Sequence, residues 1–170
     1  MKAEEVELAV STLFGIRRSL IVPNVSWGFT GLYYEADVVV VTKSGYAKEV
    51  EIKVSKADLL KDAKKRHKHD CKHFRQLYFA IPKNLLQHID LIPERAGIIV
   101  CSIEDRAYSD GLKRRLYWAR IEREAEVQKN VQKLDDRLRY ELARLGTMRI
   151  FSLKEKILKL KSKLINEKTN

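Results

Sequence analysis

Five charged residues stand inside what read as two buried strands: Glu35, Asp37, Glu49, Glu51 and Lys53, within "YYEADVVVVTKSGYAKEVEIKVSK". Side chains alternate along a strand, so Glu49, Glu51 and Lys53 share one face, as do Glu35 and Asp37. A three-residue "KSG" loop, with Gly45 in the left-handed conformation, pairs Thr42 with Tyr46 and sets Asp37 opposite Glu51. Directly opposed residues hold their Cβ atoms about 4.5–5.5 Å apart. A two-residue loop instead sets Asp37 against Ile52 and sends the two acids to opposite faces, so the site depends on the turn. Two facing carboxylates with no cation repel. Mg²⁺ removes the conflict, because it binds one or two carboxylates together with phosphate oxygens. The carbonyl of Ile52 is a third candidate ligand. Lys53, one pleat further on, can orient a water or offset charge on a phosphate in transition. This is the equipment of metal-assisted phosphodiester hydrolysis. The competing reading is a solvent-facing strand pair whose acids and lysines form surface ion pairs.

The elements that must carry these residues are legible around them. Residues 3–20 have a helical period in Val6, Ala9, Val10, Leu13, Phe14 and Ile16, and Pro23-Asn24 breaks it. "VSWGFTG" reads as a short strand, and Ala36 to Thr42 and Tyr46 to Val54 as a hairpin whose other face, Ala36, Val38, Val40, Val50, Ile52 and Val54, forms core. Ser55 and Asp58 fit a capping box opening a basic helix to about His67. "QLYFAIP" and "AGIIVCS" are further strands, with a short helix between them. The helix after Val54 is the crossover that lets the strands on either side run parallel. From Leu116 to Leu145 the apolar spacing predicts one long helix ended by Gly146. Ser152 then opens a second helix, with Leu153, Ile157, Leu160 and Leu164 on one face.

Composition narrows the partners. The 170 residues suit one compact domain with an appendage, and the formal charge is +11. Lys56 to Arg75 carries eight Lys/Arg against three acids, and Gly111 to Asn170 seventeen against eight. Basic flanks beside an acidic cluster suit a polyanion held near bound metal, with Lys56, Lys61, Lys64, Lys65 and Arg66 as phosphate contacts. Solvated helix faces are the competing account. No apolar run approaches the ~20 residues of a membrane span, and Glu4, Glu5 and Glu7 interrupt any signal-peptide core. The expectation is an intracellular protein without a membrane partner. In "HKHDCKH", His67, His69, Cys71 and His73 cannot converge from one helix; only a pair four apart, such as His69 with His73, can chelate zinc. Cys71 and Cys101 read as small core residues.

Asp37, followed after thirteen residues by Glu51-Ile52-Lys53, resembles the D…(D/E)xK signature of the PD-(D/E)xK nuclease superfamily. Ala36 stands where the naming proline would be. "EVEIKVSKADLLKDAKK" followed by "YFAIP" is similar to MmcB-like DNA-repair proteins and related phage-encoded proteins, over about Tyr34 to Ser102. The resemblance implies a restriction-endonuclease-like α/β fold, a mixed sheet flanked by helices. Its core would be residues 1–110, with amphipathic C-terminal helices at 111–170. It implies an endo- or exodeoxyribonuclease using Mg²⁺ or Mn²⁺ on DNA in repair, replication or recombination. Asp37 and Glu51 would be the metal ligands, Lys53 would assist the water and Glu35 would be an auxiliary acid. It also draws Asp58, Asp62 and Lys64 toward the site; otherwise Asp58 is a cap, Asp62 a partner of Arg66, and Ser55 a cap. The family commonly adds an acid from the first helix, for which Glu4, Glu5 and Glu7 are candidates. Two other classes stay open: a DNA-binding module that has lost cleavage, and an interaction protein whose leucine stripe is a homodimer seam.

Overall fold

The computed structural model describes residues 1–25, 29, 32, 34–62 and 72–169. Six strands form one mixed sheet in chain order: β1 Leu20–Val25, β2 Ala36–Val41, β3 Ala47–Ile52, β4 Phe74–Pro82, β5 Gly97–Ala107 and β6 Lys113–Arg123. The pairs β1–β2, β2–β3 and β5–β6 are antiparallel, while β3–β4 and β4–β5 are parallel. Helix α1, Ala3–Phe14, precedes the sheet. Helix α2, Lys56–Asp62, lies in the parallel crossover from β3 to β4, and a 3₁₀ segment, Lys83–Leu91, lies in that from β4 to β5. Helix α3, Asp136–Thr169, closes the chain. The fold is α/β, a curled mixed sheet flanked by helices with a C-terminal helix.

One face of the sheet is covered by α1. Val6, Ala9 and Val10 pack on Val38, Val40, Val50, Tyr78, Ala80, Ile99 and Cys101. Ile52 and Val54 join this cluster, as the alternation predicts, whereas Ala36 is buried with the cluster under α3. The other face carries two separate apolar clusters. Val22, Val39, Val41, Ala47 and Phe74 pack under Leu134 and Leu142 near the start of α3. Leu77, Phe79, Ile81, Ile98 and Val100 pack under Leu59 of α2 and Leu85 of the 3₁₀ segment. Glu49 and Glu51 are on β3, which runs between these two clusters.

The hairpin forms with the three-residue loop. The Thr42 N–H donates to Tyr46 O at 3.0 Å, Gly45 has φ 90°, and Val41 pairs with Ala47. Glycine is favoured at Gly45 twice over. A side chain there would be strained, and a Cβ would meet the guanidinium of Arg139 at the start of α3.

Several expectations are corrected. Pro23 and Asn24 do not end an element; they lie in β1, an edge strand, where proline costs no ladder bond to a further neighbour. The pairing of β1 with β2 skips Asn24, which adopts φ 52°. No helix runs from Leu116 to Leu145. Tyr117, Ala119 and Ile121 alternate onto the α1 face, so the period is two, and β6 pairs with β5 from Ile98–Arg123 to Ala107–Lys113. The sheet therefore continues past residue 110. Helix α3 starts at Asp136, where the Asp135 carboxylate accepts the Leu138 N–H at 2.8 Å. It passes unbroken through Gly146 and Ser152, making one helix of 34 residues where two were expected. A glycine costs only about 1 kcal/mol inside a helix. The strand expected at Val25 to Gly31 contributes only Val25, the last residue of β1; 26–28, 30 and 31 lie outside the described residues. Among the described residues no helix is long and apolar enough to cross a membrane.

Candidate active site

The site lies where the β2–β3 ladder opens. Thr42–Tyr46 is a hydrogen-bonded pair, so every second pair along the hairpin is too; after Val38–Val50 the next would be Ala36–Ile52. Instead the Ile52 N–H donates to Asp37 Oδ2 at 2.7 Å. The carboxylate of Asp37 takes the place of a main-chain acceptor and is thereby fixed. The ladder ends at Val38–Val50, and continuing its register by one residue would bring Asp37 opposite Glu51. On its other side Asp37 would face Asn24, the residue that the β1–β2 pairing skips. Ladder irregularities thus flank it on both sides.

Glu51 and Lys53 lie at the C-terminal end of β3, which the parallel strand β4 supports: Glu51 pairs with Phe79, and the Lys53 N–H donates to Ala80 O at 3.1 Å. The Lys53 ammonium is 2.7 Å from Glu51 Oε2 and 3.0 Å from Asp62 Oδ1, and 5.8 Å from the centre of the Phe79 ring. Glu51 is 1% exposed, Lys53 6% and Asp62 8%. Burial alone would lower the lysine pKa. The carboxylates of Glu51 and Asp62 more than reverse that and hold it well above its ordinary value. The two carboxylates thus favour the charged ammonium, which donates hydrogen bonds to the site.

Helix α2 explains why Asp62 arrives there. The Asp58 N–H donates to Ser55 Oγ at 3.2 Å, and Ser55 Oγ donates to Asp58 Oδ2 at 2.8 Å, a reciprocal cap. Leu59 and Asp62, one turn apart, are the buried face. Of the two aspartates, Asp58 and its partner Ser55 are the cap, and Asp62 joins Lys53. Lys56 and Lys61 of this helix are exposed. Lys64, Lys65 and Arg66, with His67, His69 and Cys71, lie outside the described residues. His73 is buried and its burial lowers the imidazole pKa; Cys101 is buried and its thiol is pushed up to about 12.

Two further acids belong to the neighbourhood. Glu49 is fully buried and accepts the Tyr34 hydroxyl at 3.0 Å, two residues before Glu51 on the same face. Glu7 of α1 borders a cavity of about 170 Å³ lined also by Leu8, Ile21, Pro23 and Val38. Its pKa is raised, first by burial, then by Glu4, then by Asp37. Among the α1 acids it is therefore Glu7 that lies within the field of the site. The signal in the sequence is its one-residue offset from the buried Val6, which places it at the edge of the buried stripe. Glu35 is exposed and one residue outside β2. Among the described residues no three His, Cys, Asp or Glu side chains converge as a ready-made metal cage.

Comparison with known proteins agrees with this architecture. The SPO1766 protein of unknown function from Silicibacter pomeroyi shares the fold with a TM-score of 0.59 at 18% identity, covering 92% of this chain and 91% of that one. No curated protein matches. The family model described as DNA repair protein MmcB-like matches residues 2–157, well beyond the stretch from Tyr34 to Ser102 that carries the motifs. The chain therefore belongs to the MmcB-like family of DNA repair proteins, within the PD-(D/E)xK superfamily.

Proposed function

We propose that the protein is a divalent-metal-dependent nuclease that hydrolyses DNA phosphodiester bonds during repair. The observation that carries this reading is the open end of the β2–β3 hairpin. There Asp37 accepts the Ile52 N–H, and the neighbouring Glu51 is tied to Lys53. Asp37, Glu51 and Asp62 bring three negative charges and Lys53 one positive, before Glu49 is counted. Such an excess at a largely buried site favours a cation.

The donor set fits Mg²⁺ or Mn²⁺. Its side-chain ligands are hard carboxylate oxygens, with no thiolate or imidazole among them, and the Ile52 carbonyl is of the same kind. Two carboxylates without a complete cage suit an ion that keeps several waters and shares substrate phosphate oxygens. Asp37 and Glu51 would hold it, and when bound it would supply Lewis-acid stabilisation and a more acidic water. Lys53 contributes a positive charge and N–H donors to the phosphate and the attacking water. Asp62 positions Lys53. Glu7, whose carboxyl interacts with Asp37, is the better candidate for the auxiliary acid than Glu35. Lys56 and Lys61, exposed on α2, would contact the DNA backbone next to the cut.

The test is cleavage of labelled duplex, single-stranded and branched DNA with Mg²⁺ or Mn²⁺. The wild type should cut at least one form, and Asp37→Asn should cut it on the order of 10²-fold more slowly or not at all, while melting like the wild type. An inert wild type, or an Asp37→Asn protein that cuts as fast as the wild type, removes the proposal.

A further inference from the structure

Helix α3 runs on past its anchor to the sheet. The Arg149 guanidinium donates to Asn24 O at 2.7 Å, and beyond it, through residue 166, every position is exposed. The part from Ile150 onward is about 30 Å long at 1.5 Å per residue. Along it Ile150, Leu153, Ile157, Leu160 and Leu164 follow a strict three-four spacing, and they are 49–60% exposed. In heptad terms isoleucine occupies a at 150 and 157, and leucine occupies d at 153 and 160. That choice favours a parallel two-stranded coiled coil.

The flanking positions decide the partner. Arg149, Lys156 and Lys163 are the g positions, and Lys154, Lys161 and Lys168 the e positions. In a parallel pair of copies, g of one helix faces e of the next heptad of the other. Arg149 would meet Lys154, Lys156 would meet Lys161, and Lys163 would meet Lys168. Antiparallel copies would set g against g and e against e, again all basic. The homodimer expected from the leucine stripe therefore places like charges along both flanks. A lipid surface fits poorly too. Phe151 and Leu158 widen the apolar arc, but Lys154 and Lys161 sit inside it, between the a and b positions. Duplex DNA would neutralise the lysines and leave the seam uncovered.

We propose that the helix beyond Arg149 is one strand of a heteromeric coiled coil whose partner helix carries apolar a and d residues and Glu or Asp at e and g. The seam supplies the burial, and the basic flanks select the acidic partner and disfavour self-pairing. The catalytic body is thereby tethered to a second protein through an element that the site does not use.

The full-length protein is titrated with a fluorescent three-heptad peptide carrying Ile at a, Leu at d and Glu at e and g. A twin peptide with Lys at e and g is the control. The Glu peptide should bind one to one, at least about tenfold more tightly than the Lys peptide. Raising salt from about 0.1 M to 1 M, which shortens the screening length from ~10 Å to ~3 Å, should erase most of that difference. An Ile157→Lys, Leu160→Lys protein should lose binding while melting like the wild type. Replacing Lys154, Lys156, Lys161 and Lys163 by Glu should reverse the preference. Equal binding of both peptides overturns the proposal. So does a stable dimer by light scattering that the Glu peptide fails to dissociate, or binding of anionic vesicles that the Glu peptide does not displace.

Discussion

Replacing Lys53 by methionine tests whether the ammonium is what allows Glu51 and Asp62 to be buried. The lysine touches both carboxylates, at 2.7 and 3.0 Å, and the exposure of the three side chains is 7%, 1% and 7%. Methionine fills a similar volume but leaves two carboxylates in a site with little water. Removing one partner from a buried ion pair costs about 3–5 kcal/mol. For a chain of this size each kcal/mol lowers Tm by about 2–4 °C, so the expected drop is roughly 6–20 °C. The pKa of Lys53 is raised in the folded state, so its contribution is fully present below the ordinary lysine value near 10.4. It is lost only as pH rises through the folded value. The contribution of Lys53 itself should therefore stay constant across the neutral range, whereas the variant should regain stability at lower pH, where a stranded carboxylate takes up a proton. Adding Glu51→Gln to Lys53→Met should recover part of the loss, because one stranded charge is gone. Calorimetric melts of the wild type, both single variants and the double variant measure the coupling. A Lys53→Met protein within about 2 °C of the wild type would refute the triad.

Asp37→Asn keeps an oxygen that can accept the Ile52 N–H, so its Tm should change little, while cleavage falls by on the order of 10²-fold or more; single-turnover assays separate the two effects. Glu7 has a raised pKa, so the stability linked to its proton is full below the ordinary glutamate value and is lost as pH rises through the folded value. Glu7→Gln should therefore flatten the fall of Tm as pH rises above the ordinary glutamate value, read from melts across that range; an unchanged slope would remove Glu7 from the field of Asp37. Changing Lys56 and Lys61 to alanine should reduce the slope of log affinity for duplex DNA against log salt by about 1.8. An unchanged slope would show that these lysines only face solvent.

The hairpin was readable because its turn has specific chemistry. Lys43-Ser44-Gly45 permits the loop that sets the hairpin register, and the β-branched runs on either side specify strands, here packed on both faces. The crossover through α2 followed from the Ser55 cap, whose hydroxyl accepts the Asp58 N–H as expected, although the Asp58 carboxylate accepts that hydroxyl rather than the Ser55 N–H. What misled was periodicity at the C-terminal end. In Lys113–Arg123 the inward residues Tyr117, Ala119 and Ile121 alternate, but charged neighbours and the leucines further on imitate a three-four spacing. Local signals also lost to length: Gly146 and Ser152 look like helix boundaries, yet a helix of 34 residues absorbs both. The partners of the site residues depended on contacts distant in sequence. That Asp62 would reach Lys53, and that Glu7 would lie near Asp37, follows from how α2 and α1 pack on opposite faces of the sheet. Neither helix carries that information by itself.

The central claim is that Asp37 and Glu51 together hold a divalent cation at the open end of the hairpin. Anomalous scattering from a crystal of the protein equilibrated with Mn²⁺ tests it directly. A single strong peak is expected within coordination distance of an Asp37 and a Glu51 carboxylate oxygen, absent in Asp37→Asn crystals treated in the same way. No peak between these residues, or a peak that persists in the Asp37→Asn protein, would contradict it.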